Sequence, residues 1–254
     1  AGTNRLSPYF NLIWRALLRE MQERATQFIE LPVDITEVRR KVDAVLLFET
    51  TDLDHRLELL GERRTPAVLI GHAPGVSCVM PDDQGGGALA GRVLVERGHR
   101  EILHLGASED FQWARDRAAG LQEALHGLGV SPQIVRGQPS VLGGYRLMRE
   151  QWLGGARPTA VFCATDEMAV GALGALEDLG VAVPGAVSVL GFDGLAELRP
   201  GLASIAQDIP GIAHTAVSLA LRAIERTTIR QEVVPVSLLE GETLASIASK
   251  PSRR

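Results

Sequence analysis

Short continuous apolar runs alternate with segments of helical period along nearly the whole of this 254-residue chain, and that rhythm restricts its fold more than any other feature. Val42 to Phe48, Ala67 to Ile70, Ile102 to Leu105, Gln133 to Val135, Ala160 to Ala164 and Val187 to Phe192 read as strands, several with the unbroken hydrophobicity of a strand buried on both faces. Helix-like segments fall between them, around Leu53 to Glu62, Ala88 to Glu96, Trp113 to Leu128, Gly144 to Leu153, Asp166 to Leu179 and Pro210 to Arg226. The first helix is marked by Phe10, Ile13, Trp14, Leu17, Leu18 and Met21 at spacings of three and four, with Ser7 as N-cap and Pro8 at its first position. Val233 to Leu239 reads as a closing strand, and Gln27 to Leu31 as a further one. Alternation of this kind implies parallel sheets with right-handed crossovers. About nine strands are generous for one small sheet, so the expectation is two doubly wound lobes divided near Gly98: 1–98 plus 209–232, and 99–208 plus 233–254. The helical segment before Val42 is very short, which marks either a trimmed connection or missing residues.

Composition excludes several classes. Apolar residues make up 45% and charged residues 22%, so disorder, collagen-like sequence and coiled coil are disfavoured, and a folded, soluble chain is expected. Net charge is −5, and the basic residues form no run beyond Lys250 to Arg254, so this chain by itself lacks a phosphate-binding surface. No apolar stretch approaches a bilayer span and no signal-like start is visible; the chain reads as cytoplasmic, with a cleaved signal left open. Cys78 and Cys163 sit in apolar runs and read as reduced structural thiols, a disulfide between them being the alternative.

Enzymatic chemistry has no positive sign. The six histidines are scattered and no His, Cys and carboxylate cluster has metal-ligand spacing, so neither a metal nor a cofactor is expected. Gly85-Gly86-Gly87-Ala88-Leu89-Ala90 matches a dinucleotide pattern in form. Asp82, Asp83 and Gln84 precede it, however, and two carboxylates would repel a pyrophosphate; glycines that let a helix end pack closely are the simpler explanation.

Open parallel sheets bind ligands beyond the carboxyl ends of their strands, where Phe48-Glu49, Gly71-His72, Gly106 to Asp110, Thr165-Asp166 and Gly191 to Gly194 fall. Arg117 and Asp193 have two readings: an ion pair and a turn aspartate, or a guanidinium fork and a carboxylate that together hold adjacent hydroxyls of a sugar or polyol. Thr165 and Asp166 read as a helix N-cap, with ligand contact as the alternative. Only eleven residues are aromatic, and four of them, Tyr9, Phe10, Phe111 and Trp113, flank strand ends, either as core or as stacking surfaces.

The run Thr159 to Ala172 (TAVFCATDEMAVGA), followed by Leu179-Gly180, Val183-Pro184 and Val187 to Asp193 (VSVLGFD), resembles the effector-binding region of lactose/galactose-repressor (LacI/GalR) transcription regulators. Ser7-Pro8-Tyr9-Phe10, Val42 to Leu47, Gly98 to Ile102, Arg117 to Leu121 and Ala203 to Asp208 extend the resemblance over nearly the whole chain. It implies a periplasmic-binding-protein type I fold, two doubly wound lobes with a small effector in the cleft between them. It also implies Tyr9 and Phe10 as an aromatic wall, Arg117 and Asp193 as central polar contacts, Thr165, Asp82, Gln207 and His72 as secondary contacts, and Phe111 and Trp113 at the entrance. Thr165 replaces the family's usual asparagine, Gly71 falls where some members have an aspartate, and Pro139 where some have a stacking aromatic; these departures favour a sugar or other polyhydroxyl effector over a flat purine.

The family's helix-turn-helix and most of its first strand are absent from this chain, so operator binding would belong to about 60 preceding residues by analogy. The resemblance implies a homodimeric repressor in which effector binding alters operator affinity. A solute-binding protein of a transporter shares the fold and is the alternative; a nucleotide-dependent enzyme is a weaker one, resting on the glycine run alone.

Overall fold

The computed structural model describes residues 7–31, 41–48, 55–195, 197–225 and 228–247. The chain forms two compact units, Ala1–Pro81 with Asp208–Pro235 and Asp82–Gln207 with Val236–Arg254.

In the first unit β1 (Val45–Phe48), β2 (Ala67–Ile70), β3 (Ser77–Pro81) and β9 (Gln231–Val234) lie side by side in that order, all parallel. Successive residues of β2 serve opposite faces, as strand periodicity demands. Val68 and Ile70 join Ile13, Leu17 and Met21 of α1 (Pro8–Glu23) and Ile212, Ala216 and Val217 of α7 (Ile209–Glu225). Leu69 turns the other way, to Val45, Leu47, Cys78 and Leu60 of α2 (His55–Glu62).

The second unit holds β4 (Ile102–Ala107), β5 (Gln133–Gly137), β6 (Ala160–Cys163), β7 (Ser188–Asp193), β8 (Ala203–Gln207) and β10 (Val236–Leu239) in the order β10-β8-β7-β6-β4-β5, parallel except for β10. One face packs on α3 (Asp83–Glu96) and α4 (Gln112–His126) through Ile102, Phe162, Leu190 and Phe192. The other packs on α5 (Val141–Leu153) and α6 (Asp166–Asp178) through Leu103, Leu105, Val161 and Val189. From β4 the chain steps to β5 on one side, then crosses to β6 on the other. The gap between β4 and β6 is therefore the switch point where an open sheet of this kind presents its ligand crevice.

Several expectations need correction. Gln27 to Leu31 forms no strand; it has no ladder partner among the described residues, and a lone extended segment is not a strand. The closing segment is two strands, β9 and β10, in different sheets, broken at Pro235, which has no N–H for a ladder. The compact units divide at Pro81 and Asp82, not near Gly98, because α3 packs on α4 and on the sheet of the second unit. Gly87 and Gly120 explain that packing: a Cβ on Gly87 would fall on the carbonyl oxygen of Arg117, and one on Gly120 on that of Gln84, so only glycines permit the two backbones to touch. The glycine run thus serves helix contact. Cys78 and Cys163 are both free and buried, so no disulfide joins them. Glu49 and Leu53 lie outside the described residues.

Candidate functional site

At the carboxyl end of β7 the fully buried strand stops at Asp193, whose φ of +118° lies where a side chain is seldom tolerated, and Gly194 follows at φ +80°. Strain of this kind persists only where surrounding bonds fix it. Here they do: Gly194 N–H donates to Ser204 Oγ (3.0 Å), Leu195 N–H donates to Asp166 Oδ2 (2.6 Å), and Ser204 Oγ donates to Asp166 Oδ1 (2.7 Å). Both oxygens of Asp166, in the first turn of α6, are thereby spent on holding the turn after β7.

The Asp193 carboxylate sits between two donors. Gln207 Nε2, at the end of β8, donates to its Oδ1 at 2.9 Å, and Arg117 Nη1 approaches the same oxygen at 3.3 Å. The same Nη1 makes a shorter bond, 2.6 Å, to the carbonyl oxygen of Ala164, and Arg117 Nε donates to Asp83 Oδ1 at 2.8 Å. The guanidinium lies 3.6 Å from the ring centroid of Phe192 and 4.8 Å from that of Trp113, with its side chain only 5% exposed. Aromatic faces favour a cation, which helps to offset the loss of its water. Phe111 stacks on Trp113 with centroids 5.4 Å apart.

Burial dominates the electrostatics. It pushes the Asp193 carboxyl up to about 8; Arg117 opposes the shift, and the neighbouring charges of Asp166 and Asp83 add to it. Asp166 is pushed up to about 6 by burial against the pull of its hydrogen bonds, and Asp83 is raised by burial despite Arg117. His104, on β4 within the same unit, is fully buried and driven down to about 4; its Nδ1 bonds the Phe162 carbonyl oxygen at 3.0 Å, while Nε2 has no hydrogen-bond partner among the described residues. Among the described residues no group of three His, Cys, Asp or Glu side chains is placed to hold a metal ion.

Of the expected site residues, Arg117, Asp193 and Gln207 are joined by direct bonds, Trp113 flanks the guanidinium and Phe111 backs Trp113. Thr165 is the N-cap of α6, its Oγ1 accepting from Met168 N–H at 3.2 Å, and Asp82 is the N-cap of α3, accepting from Gly85 N–H at 2.8 Å. Three belong to the first unit: Tyr9 lies 6.0 Å from Phe48, Phe10 stacks on Trp14 and lines a cavity of about 340 Å³ along β1, and His72 is exposed just after Gly71. The roles of Asp83, Phe192 and Ser204 do not follow from the sequence pattern, and Asp166, expected with Thr165 as an N-cap or ligand contact, instead holds the turn after β7. Asp83 was in view as a carboxylate that would repel phosphate; its pairing with Arg117 depends on the crossing of α3 and α4, which a linear pattern does not reveal.

Residues 92–244 match the family model of a periplasmic binding protein-like domain. The chain is 31% identical over 229 residues to the HTH-type transcriptional repressor PurR of Erwinia tasmaniensis, covering 85% of this chain and 67% of that protein. Among solved structures, a complex of the transcriptional regulator CelR with cellobiose superposes with a TM-score of 0.84 at 28% identity, covering 93% of this chain and 79% of that one. A LacI family transcriptional regulator from Enterococcus faecium with bound ribose superposes at 0.83 and 25% identity, covering 96% of each. Fold, strand-end polar cluster and relatives agree: the chain belongs to the LacI/GalR family of transcriptional regulators, as its effector-binding region.

Proposed function

We propose that this chain senses a sugar or sugar-like polyol for a homodimeric repressor whose operator contacts lie in a helix-turn-helix outside this sequence. The observation that carries the reading is the single oxygen of Asp193, at the end of β7, shared by Gln207 at the end of the adjacent β8 and by Arg117 of α4. A carboxylate and a fork of donors in one place match the alternating donors and acceptors of neighbouring hydroxyls, and the rings of Trp113 and Phe111 offer the apolar face of a sugar a surface. Tyr9, Phe10, His72, Asp82 and Thr165 are assigned to further effector contacts by family position. Cellobiose and ribose in the two related regulators support the ligand class. Effector binding would alter operator affinity through a coupling of about 1 to 3 kcal/mol, or roughly 5- to 150-fold.

The test is a calorimetric and thermal-shift screen of mono- and disaccharides, with purine bases as comparators, on the full chain and on Asp193→Ala and Gln207→Ala. A sugar that binds the parent chain and loses at least tenfold in affinity in both variants supports the reading. Binding of a purine alone, or sugar binding indifferent to both substitutions, overturns it.

A further inference from the structure

The Arg117 cluster has an uneven charge balance. Three carboxylates, Asp83, Asp166 and Asp193, surround one guanidinium, and all four residues are buried. Asp82 and Asp116 add negative charge beside Asp83. The guanidinium is also heavily engaged: Nε is taken by Asp83, Nη1 by Ala164 and Asp193, and rings lie against its plane.

Helix N-termini would ordinarily add positive potential for an anion. In this unit α3 is capped by Asp82 with Asp83 in its first turn, and α6 carries Asp166 and Glu167 in its first turn. Both ends are thus already neutralised by the chain's own carboxylates.

Building on the effector-site reading above, we infer that the site selects uncharged polyhydroxyl ligands and rejects sugar phosphates and sugar acids, with Asp83 as the residue that enforces the choice by occupying the Arg117 fork. A phosphate or carboxylate entering here would have to displace Asp83 from Nε or sit without a cation of its own beside three buried acids. An anion gains from a guanidinium only when the fork faces it, and like charges set side by side are heavily penalised. A neutral hydroxyl avoids both costs. It can share Asp193 with Gln207 and leave the Asp83–Arg117 pair intact. The upward shift of Asp83 and Asp193, caused first by burial and then by their negative neighbours, is in keeping with a site that resists further negative charge.

The experiment is isothermal titration of the full chain at neutral pH with matched pairs: ribose against ribose 5-phosphate, and glucose against glucose 6-phosphate and gluconate. For the pair whose neutral member binds, the anionic partner is expected to bind at least about a hundredfold more weakly. Asp83→Asn, which keeps an acceptor for Nε, and Asp83→Ala, which removes it, are both expected to narrow that gap about tenfold. An anionic partner that binds the parent chain as tightly as the neutral sugar overturns the charge selection while leaving the site reading intact, provided Asp193→Ala still weakens binding at least tenfold. A gap that persists unchanged in both Asp83 variants overturns the role of Asp83. Should neither variant fold, the parent chain's own preference between the paired sugars still decides the charge selection. Failure of every sugar, neutral or anionic, to bind overturns the site reading and this inference together.

Discussion

Arg117 reaches Asp193 at 3.3 Å but Asp83 at 2.8 Å, so the acid that holds the arginine most closely is the one on α3, not the one at the strand end. Removing the cation strands Asp83, whereas Asp193, which burial keeps protonated, retains the Gln207 bond. Arg117→Met is expected to cost about 3 to 5 kcal/mol of stability, the usual penalty for leaving buried charge uncompensated, and adding Asp83→Asn is expected to recover part of the loss. Urea denaturation of the single and double variants measures both effects.

Asp193 gives a pH signature with a definite sign. Its carboxyl is raised to about 8 in the folded chain by burial first, so the folded state holds a proton that the unfolded state releases. The stability tied to that proton is complete below an ordinary carboxylate pKa of about 4 and is lost as pH rises towards 8. Asp193→Asn mimics the protonated acid and tolerates positive φ better. The variant is therefore expected to gain stability relative to the parent between pH 5 and pH 9, as read by melting temperature across that range.

His104 acts in the opposite direction. Burial holds it neutral with a folded value of about 4, below the ordinary histidine range, so the unfolded chain binds a proton that the folded chain refuses. Its neutral-state stability is complete above about pH 6.5 and is lost as pH falls through 4, a swing of about 3 kcal/mol. Subtracting urea curves of His104→Leu from those of the parent at pH 7, 5.5 and 4.5 isolates the term. A difference independent of pH would refute the assignment.

Gly87→Ala and Gly120→Ala each place a methyl on a backbone carbonyl of the facing helix, which cannot move aside as a side chain can. A loss of about 2 kcal/mol or more is expected for either. Gly127→Ala, where an added Cβ meets its nearest neighbours at 3.7 and 3.8 Å, is the control and should be nearly neutral.

Thr165→Ala removes the acceptor for Met168 N–H and is expected to cost about 1 kcal/mol, with Thr165→Ser retaining most of it. Thermal melts of the two variants separate capping from any effector contact made by the same hydroxyl.

Long apolar runs made β2, β4, β6 and β7 legible from sequence, because a strand covered on both faces must be apolar throughout. β3 shows in the pattern only as the apolar run around Cys78, and β8 not at all, since Ser77, Pro81, Ser204 and Gln207 interrupt their apolar character. Each lies inside a sheet, and neighbours on both sides, not local propensity, make it a strand. The same holds at the site. Asp193 was legible because it closes an apolar strand, Arg117 because it stands on a helix whose other marked positions are leucines, and Gln207 through the family resemblance alone. Asp83, Phe192 and Ser204 acquire their roles from a helix crossing and from strand neighbours distant in sequence.

Because Gly87 lies against the Arg117 carbonyl and Gly120 against that of Gln84, the helix bearing Asp83 and the helix bearing Arg117 meet backbone to backbone, with no side-chain layer to act as a bearing. An effector that drew on the guanidinium, as proposed, would therefore pull on a welded pair, its force handed to two helices at once instead of being absorbed by rotamer play.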